Sequence, residues 1–223
     1  MASANLIIPP GFDEQLRKGS LESVLPQISK RIALNANKIV TQIGDFLVQT
    51  FNTSDVVKAL KGQGVDLPAH FGLTDEQAAL LADGMAELIR QSVQLIVSVN
   101  NPKVIINILA ASTNWDLYAS LPGGEYISKP SGILIPVAKW MLIGDIDIGQ
   151  AAYSIVFDGS KVDLINSRSG RALMVELDSI AGVNTPYVLP AIINKRAGEN
   201  FIEYTIGQKN VANRVIEIVM NNI

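Results

Sequence analysis

The stretch Val93-Gln-Leu-Ile-Val-Ser-Val-Asn-Asn-Pro-Lys-Val-Ile-Ile-Asn-Ile-Leu-Ala110 is where the hydrophobic rhythm of this chain changes. Val93, Leu95, Val97 and Val99 alternate with other residues, which places them on one face of an extended strand. Asn100-Asn101-Pro102 is a turn sequence, and a second apolar run follows it. Val93–Val99 and Lys103–Ala110 are therefore expected to form an antiparallel hairpin, a helix continuing through Ser98 being the competing reading.

Upstream of residue 92 the spacing is helical. Leu21, Val24, Leu25, Ile28 and Ile32, then Ile39, Ile43, Phe46 and Leu47, recur every three or four positions. The opposite face carries Lys30, Arg31, Lys38 and Gln42, so residues 27–51 read as a mildly basic amphipathic helix. Ser20 suits its N-cap, with Pro26 marking its start or a kink. Ser54 is placed to cap a short helix over 55–61. Thr74-Asp-Glu-Gln77 has the spacing of a capping box, opening a helix to about Arg90. Residues 1–11, with Pro9, Pro10 and Gly11, read as an extended arm.

Downstream, the alternation predicts strands at Trp115–Ser120, Ile133–Ile135, Trp140–Ile143, Ala151–Phe157, Lys161–Ile165, Ala172–Leu177, Tyr187–Ile193, Phe201–Ile206 and Arg214–Met220. The expected fold is α+β: a helical region (1–92) packed on a C-terminal antiparallel β-sandwich (93–223). Each part has a single apolar face and no Gly/Ser-rich linker separates them, so one compact unit is expected.

Composition narrows the function. The 223 residues are 48% hydrophobic, enough for a full core. Eighteen basic residues face 21 acidic ones, nine against ten in 1–110 and nine against eleven in 111–223. No segment has the basic excess that a phosphate backbone requires, so nucleic acid is not an expected partner. Cysteine is absent, which removes disulfides, thiolate catalysis and Cys-ligated zinc. The N-terminus lacks the charge pattern of a signal peptide, and no apolar run reaches bilayer length. A protein made in soluble form is expected, released before it acts on any target-cell membrane.

Catalytic motifs are missing. His70 is the only histidine and no Gly-x-Ser-x-Gly occurs, so a Ser–His mechanism is not expected. Asp145 and Asp147 stand two residues apart, a spacing open to a divalent cation or acid–base work but equally to a solvated turn. No metal, cofactor or enzymatic activity is expected. Arg168 and Arg171 flank a polar turn and could hold an anion or lipid headgroup, since guanidinium forks match phosphate geometry. Trp115, Tyr118, Tyr126 and Tyr187 combine an apolar body with a polar tip, which suits a membrane or ligand surface. Trp140 and Tyr153, in apolar runs, are expected in the core.

From Val93 onward the order of features resembles the β-sandwich of actinoporins, aegerolysins and fungal fruit-body lectins. The shared points are the aliphatic strand ending in Asn100-Asn101 with Lys103–Leu109 after it, the aromatic strand at Trp115, and Pro130-Ser-Gly-Ile-Leu-Ile-Pro136 leading to Trp140. Two final strands, Asn200–Ile206 and Val215–Val219, complete it. The dense Tyr/Trp cluster that binds phosphocholine in actinoporins has a counterpart only in Tyr187. The resemblance implies a pore-forming, cytolysin-like protein that binds a lipid membrane or surface receptor and homo-oligomerises there, with 27–51 as its inserting helix. A second expectation is a structural or assembly protein of a virion or other large particle, with arm and edges exchanged between subunits. A hydrolase built on scattered carboxylates is the third.

Overall fold

Ile32, Ile39, Ile43, Leu47 and Phe51 lie every four or seven residues along α1 (Leu21–Asn52), and all five are buried. Each such side chain removed from water contributes roughly 1.5–3 kcal/mol, so this stripe outweighs the weak intrinsic preference of any one residue for helix. The opposite face, Lys30, Arg31, Lys38 and Gln42, is exposed, as the sequence requires. Pro26 lies inside the helix near its start. The computed structural model describes residues 21–100, 103–109, 115–127, 132, 134–143, 153–157, 159–193 and 200–223. The expected arm at 1–11 lies outside them.

Ser54 caps α2 (Asp55–Leu60), its hydroxyl accepting from the Val57 amide. Asp66 caps α3 (Leu67–His70) by accepting from the Ala69 amide at 3.1 Å. The capping box opens α4 (Asp75–Gln91) with both reciprocal bonds: the Gln77 amide donates to Thr74 Oγ1, and the Thr74 amide donates to Gln77 Oε1.

The switch at residue 92 is real, and it begins a hairpin. β1 (Gln94–Asn100) and β2 (Lys103–Leu109) pair antiparallel, with Leu95 opposite Ile108 and Val97 opposite Ile106. Beyond the hairpin the expected β-sandwich is not found. About 52% of the described residues are helical, and the strands form three small two-stranded sheets. α5 (Trp115–Ala119), α6 (Val137–Ile143), α7 (Phe201–Ile206) and α8 (Lys209–Met220) replace four expected strands. Lys161–Ile165 is a turn running into a 3-10 helix (Leu164–Asn166), and Tyr187–Ile193 holds no regular element. The strands that remain are β3 (Tyr126–Ile127) with β4 (Leu134–Ile135), and β5 (Tyr153–Val156) with β6 (Leu173–Glu176).

The reason lies in a second period beneath the alternation. In α8, Val211, Val215 and Val219 recur every four residues and are the buried ones. In α7, the Asn200 side chain accepts from the Glu203 amide at 2.8 Å, an N-cap that the alternating reading of 201–206 passes over. In α6, the carbonyl of Pro136, just before the helix, accepts from the Trp140 amide and so opens the helical bonding. Short apolar runs fit either period, and capping with burial selects helix.

The chain divides into two compact units, each assembled from separated stretches. One comprises 1–50, 88–112 and 205–223, the other 51–87 and 113–204. In the first, the C-terminal segment is tied to α1. Asn35 donates to the Asn222 carbonyl at 2.8 Å, and buried Asn222 donates to Gln42 Oε1 at 2.7 Å. The second holds the sheet β5–β6, where Val156, Val162 and Val183 form a core with Leu164, Leu173, Val175 and Ile180.

Candidate functional site

In the second unit, the polar turn Asn166–Arg171 bends back on itself before it meets any partner. Ser167 Oγ accepts from the Gly170 amide and donates to the Ala172 carbonyl, so the loop is closed by its own serine. Gly170 has φ +70°, which a side chain would resist. This geometry points Arg168 and Arg171 toward residues about a hundred positions earlier.

Arg171 lies between two carboxylates. Its Nε and Nη2 donate to Asp66 Oδ2 and Oδ1 at 2.6 and 3.1 Å, while Nη2 and Nη1 donate to Asp75 Oδ1 and Oδ2 at 2.6 and 3.2 Å. Two bidentate forks thus join the loop to the N-terminus of α3 and the first turn of α4, where negative charge is already favoured. Burial opposes ionisation of Asp66, but the Arg171 bonds, the Ala69 amide and nearby positive charge hold its pKa below 3.8. Both carboxylates raise the Arg171 pKa, so its charge is locked in.

Arg168 is engaged too. Its Nη2 donates to Gln77 Oε1 at 3.0 Å, the oxygen that also serves the capping box. The guanidinium lies 3.9 Å from the centroid of the Tyr126 ring, a cation–π contact. A phosphate or headgroup approaching either arginine would have to displace an acceptor already in place.

The expected surface aromatics divide in the same direction. Tyr118, in α5, is 0% exposed, and burial pushes its hydroxyl up to about 12. Tyr187 is 4% exposed, with its ring beside Trp140 and its hydroxyl donating to the His70 carbonyl at 3.4 Å. Burial first, then the neighbouring Tyr126, raises its pKa. Tyr126 is half-buried, and burial raises its pKa against the pull of Arg168. Trp115 begins α5, but its side chain lies outside the described residues, as do Asp145 and Asp147. Trp140 is buried and Tyr153 half-buried, in keeping with a core role.

Tyr126, Trp140, Arg168 and His70 border one cavity of about 70 Å³. That is room for a few waters, well below the roughly 300 Å³ of a small-molecule site. His70 closes one side, its ring edge-on to Phe157 with centroids 4.8 Å apart. Its Nδ1 is buried and meets no acceptor or donor among the described residues. Burial lowers the His70 pKa and Asp66 partly opposes this. The cluster is a brace, buried at Tyr187 and open to solvent at Arg171 and Asp75: it joins four expected site residues, Tyr126, Tyr187, Arg168 and Arg171. Of its other members, Asp75 and Gln77 are legible only as part of the capping-box stretch and Asp66 not at all, because nothing in their local spacing marks an arginine partner far along the chain.

In the first unit the notable surface is the hairpin. Among the described residues neither β1 nor β2 pairs with a third strand. Ile108 is buried, Leu95 and Val97 are half-buried, and Ile96 is 47% exposed. β1, Gln94-Leu-Ile-Val-Ser-Val-Asn100, contains no charge and no proline, the two residue features that usually guard an edge.

Among the described residues no helix is long and apolar enough to cross a membrane. Nor do three or more His, Asp or Glu side chains among them gather where they could hold a metal ion. No protein-family model matches this chain, and no curated protein and no solved structure matches it.

Proposed function

We propose that this chain is an assembly protein, a subunit that joins copies of itself into a larger particle such as a virion component. The observation that carries the reading is the β1–β2 hairpin, a two-stranded ladder in which Leu95, Val97 and Ile105 are half-buried and Ile96 is exposed. A lone two-stranded hairpin is marginal in water, and stability comes from further strands or a packed face. An uncharged seven-residue strand that, among the described residues, is paired along one edge only offers both to a neighbour.

The second unit supports the same reading from the other side. Tyr118 and Tyr187 are buried, and Arg168 and Arg171, the groups best suited to an anionic ligand, are engaged by Gln77, Asp66 and Asp75. Light scattering on the purified protein tests the proposal. A mass several times that of the chain, without lipid, is the expected result. A monomer at every concentration overturns it. Flotation with phosphatidylcholine vesicles, coupled to dye release, would instead favour a membrane-active protein.

A further inference from the structure

We infer that the partner of the β1 edge is the β1 edge of a second copy, paired antiparallel across a two-fold axis through Val97. This rests on the assembly reading and specifies its contact.

An antiparallel pair of identical strands is self-complementary only if the sequence reads alike from both ends about its centre. On the face of Leu95, Val97 and Val99, β1 does. With Val97 opposite Val97, Leu95 meets Val99 and Gln94 meets Asn100, and Ile96 with Ser98 is the one mixed pair. The central pair and the pairs two residues out are therefore apolar on apolar, and amide matches amide at the ends. β2 fails the same test: pairing about Ile106 sets Lys103 opposite Leu109. Lys103 also supplies β2 with the charge that guards an edge, whereas β1 has none.

The pairing has a further effect on the ladder. In each hairpin Leu95 is opposite Ile108, Val97 opposite Ile106 and Val99 opposite Val104. Opposed residues in antiparallel strands share a face, so joining two hairpins produces a four-stranded sheet, β2–β1–β1–β2. Its aliphatic positions run unbroken across the axis. A two-fold contact of this kind is isologous, each surface meeting its own copy, so it joins chains in pairs, and a larger particle is built from such pairs through further contacts.

The chain has no cysteine, so an introduced one reports without background. Val97→Cys places two thiols opposite each other across the axis. Mild oxidation is expected to convert it to a disulfide-linked dimer, while Leu34→Cys, at a helical residue 75% exposed, stays uncrosslinked. Ile96→Lys, at an exposed position, gives the edge a guarding charge and is expected to weaken self-association about tenfold. Wild-type oligomers in which Val97→Cys does not crosslink and Ile96→Lys changes nothing overturn this contact and leave the assembly reading standing. A wild-type protein that is monomeric throughout, with no crosslink at Val97→Cys, overturns both.

Discussion

Arg171 and Asp66 stand 105 residues apart and meet through two hydrogen bonds, 2.6 and 3.1 Å long, between one guanidinium edge and one carboxylate. The same guanidinium holds Asp75, so a single side chain fastens one loop to the starts of two helices. Removing it leaves two carboxylates facing each other. Arg171→Ala should lower stability by about 1–2 kcal/mol, more than a typical exposed pair because the geometry is doubly bidentate, yet limited by partial solvent access. Arg171→Lys should recover less than half, since an ammonium keeps the charge and loses the fork. Urea denaturation of the three proteins measures both. Equal stability of all three would mean that the forks contribute nothing.

Acid should weaken the fold in two separate windows. His70 has its pKa lowered below 6.5, so the folded protein resists a proton that the unfolded chain accepts. Its contribution is complete above pH 6.5 and is lost as the pH falls from there. Asp66 has its pKa held below 3.8, so its contribution is complete above 3.8 and is lost below. His70→Gln should abolish the first decline and leave the second. Asp66→Asn should remove the second and lower stability throughout. Urea midpoints measured on both sides of 6.5 and 3.8 separate the two.

Base should act through the tyrosines. Tyr118, Tyr126 and Tyr187 all have pKa values raised above 10, chiefly by burial. The folded state therefore keeps phenols protonated that the unfolded chain would ionise. Stability from this source is complete below pH 10 and is lost as the pH climbs past it. An absorbance titration at the phenolate band should show these three ionising late or only with unfolding, and Tyr118→Phe should leave one fewer in that late phase.

Gly72 has φ +62°, with the Tyr126 hydroxyl against the place where a Cβ would stand. Gly72→Ala should cost about 1–2 kcal/mol from the backbone alone, with a further loss as Tyr126 shifts. Adding Tyr126→Phe should relieve the second part and leave the first. Thermal melts of the single and double variants provide the comparison.

The local elements of the first ninety residues were legible. The α1 stripe, the Ser54 cap and the Thr74–Gln77 box each depend on residues within a few positions of one another, and each formed as read. The hairpin after residue 92 was legible for the same reason, since its turn and its alternation are both local. Further on, the same alternation was misleading. Val215–Val219 looks extended in a short window, yet Val211, Val215 and Val219 are the buried positions, a period that needs about two turns to show. Burial against neighbours, which no short window contains, decided for helix.

Spacing along the chain suffices for the helix starts before residue 92, for the change of rhythm there, and for which residue types are available for chemistry. Tertiary structure alone decided how those residues are used. Arg171 and Tyr187 are suited by type to grip a headgroup or lie in an interface, and the fold places them where Asp66, Asp75 and the His70 carbonyl hold them instead. For Tyr187 the physical reason is desolvation: a polar group drawn into an interior must find its partner there. Arg171 stays partly exposed and is held by two charge-assisted forks, and in both cases the partner is chosen by packing rather than by spacing along the chain.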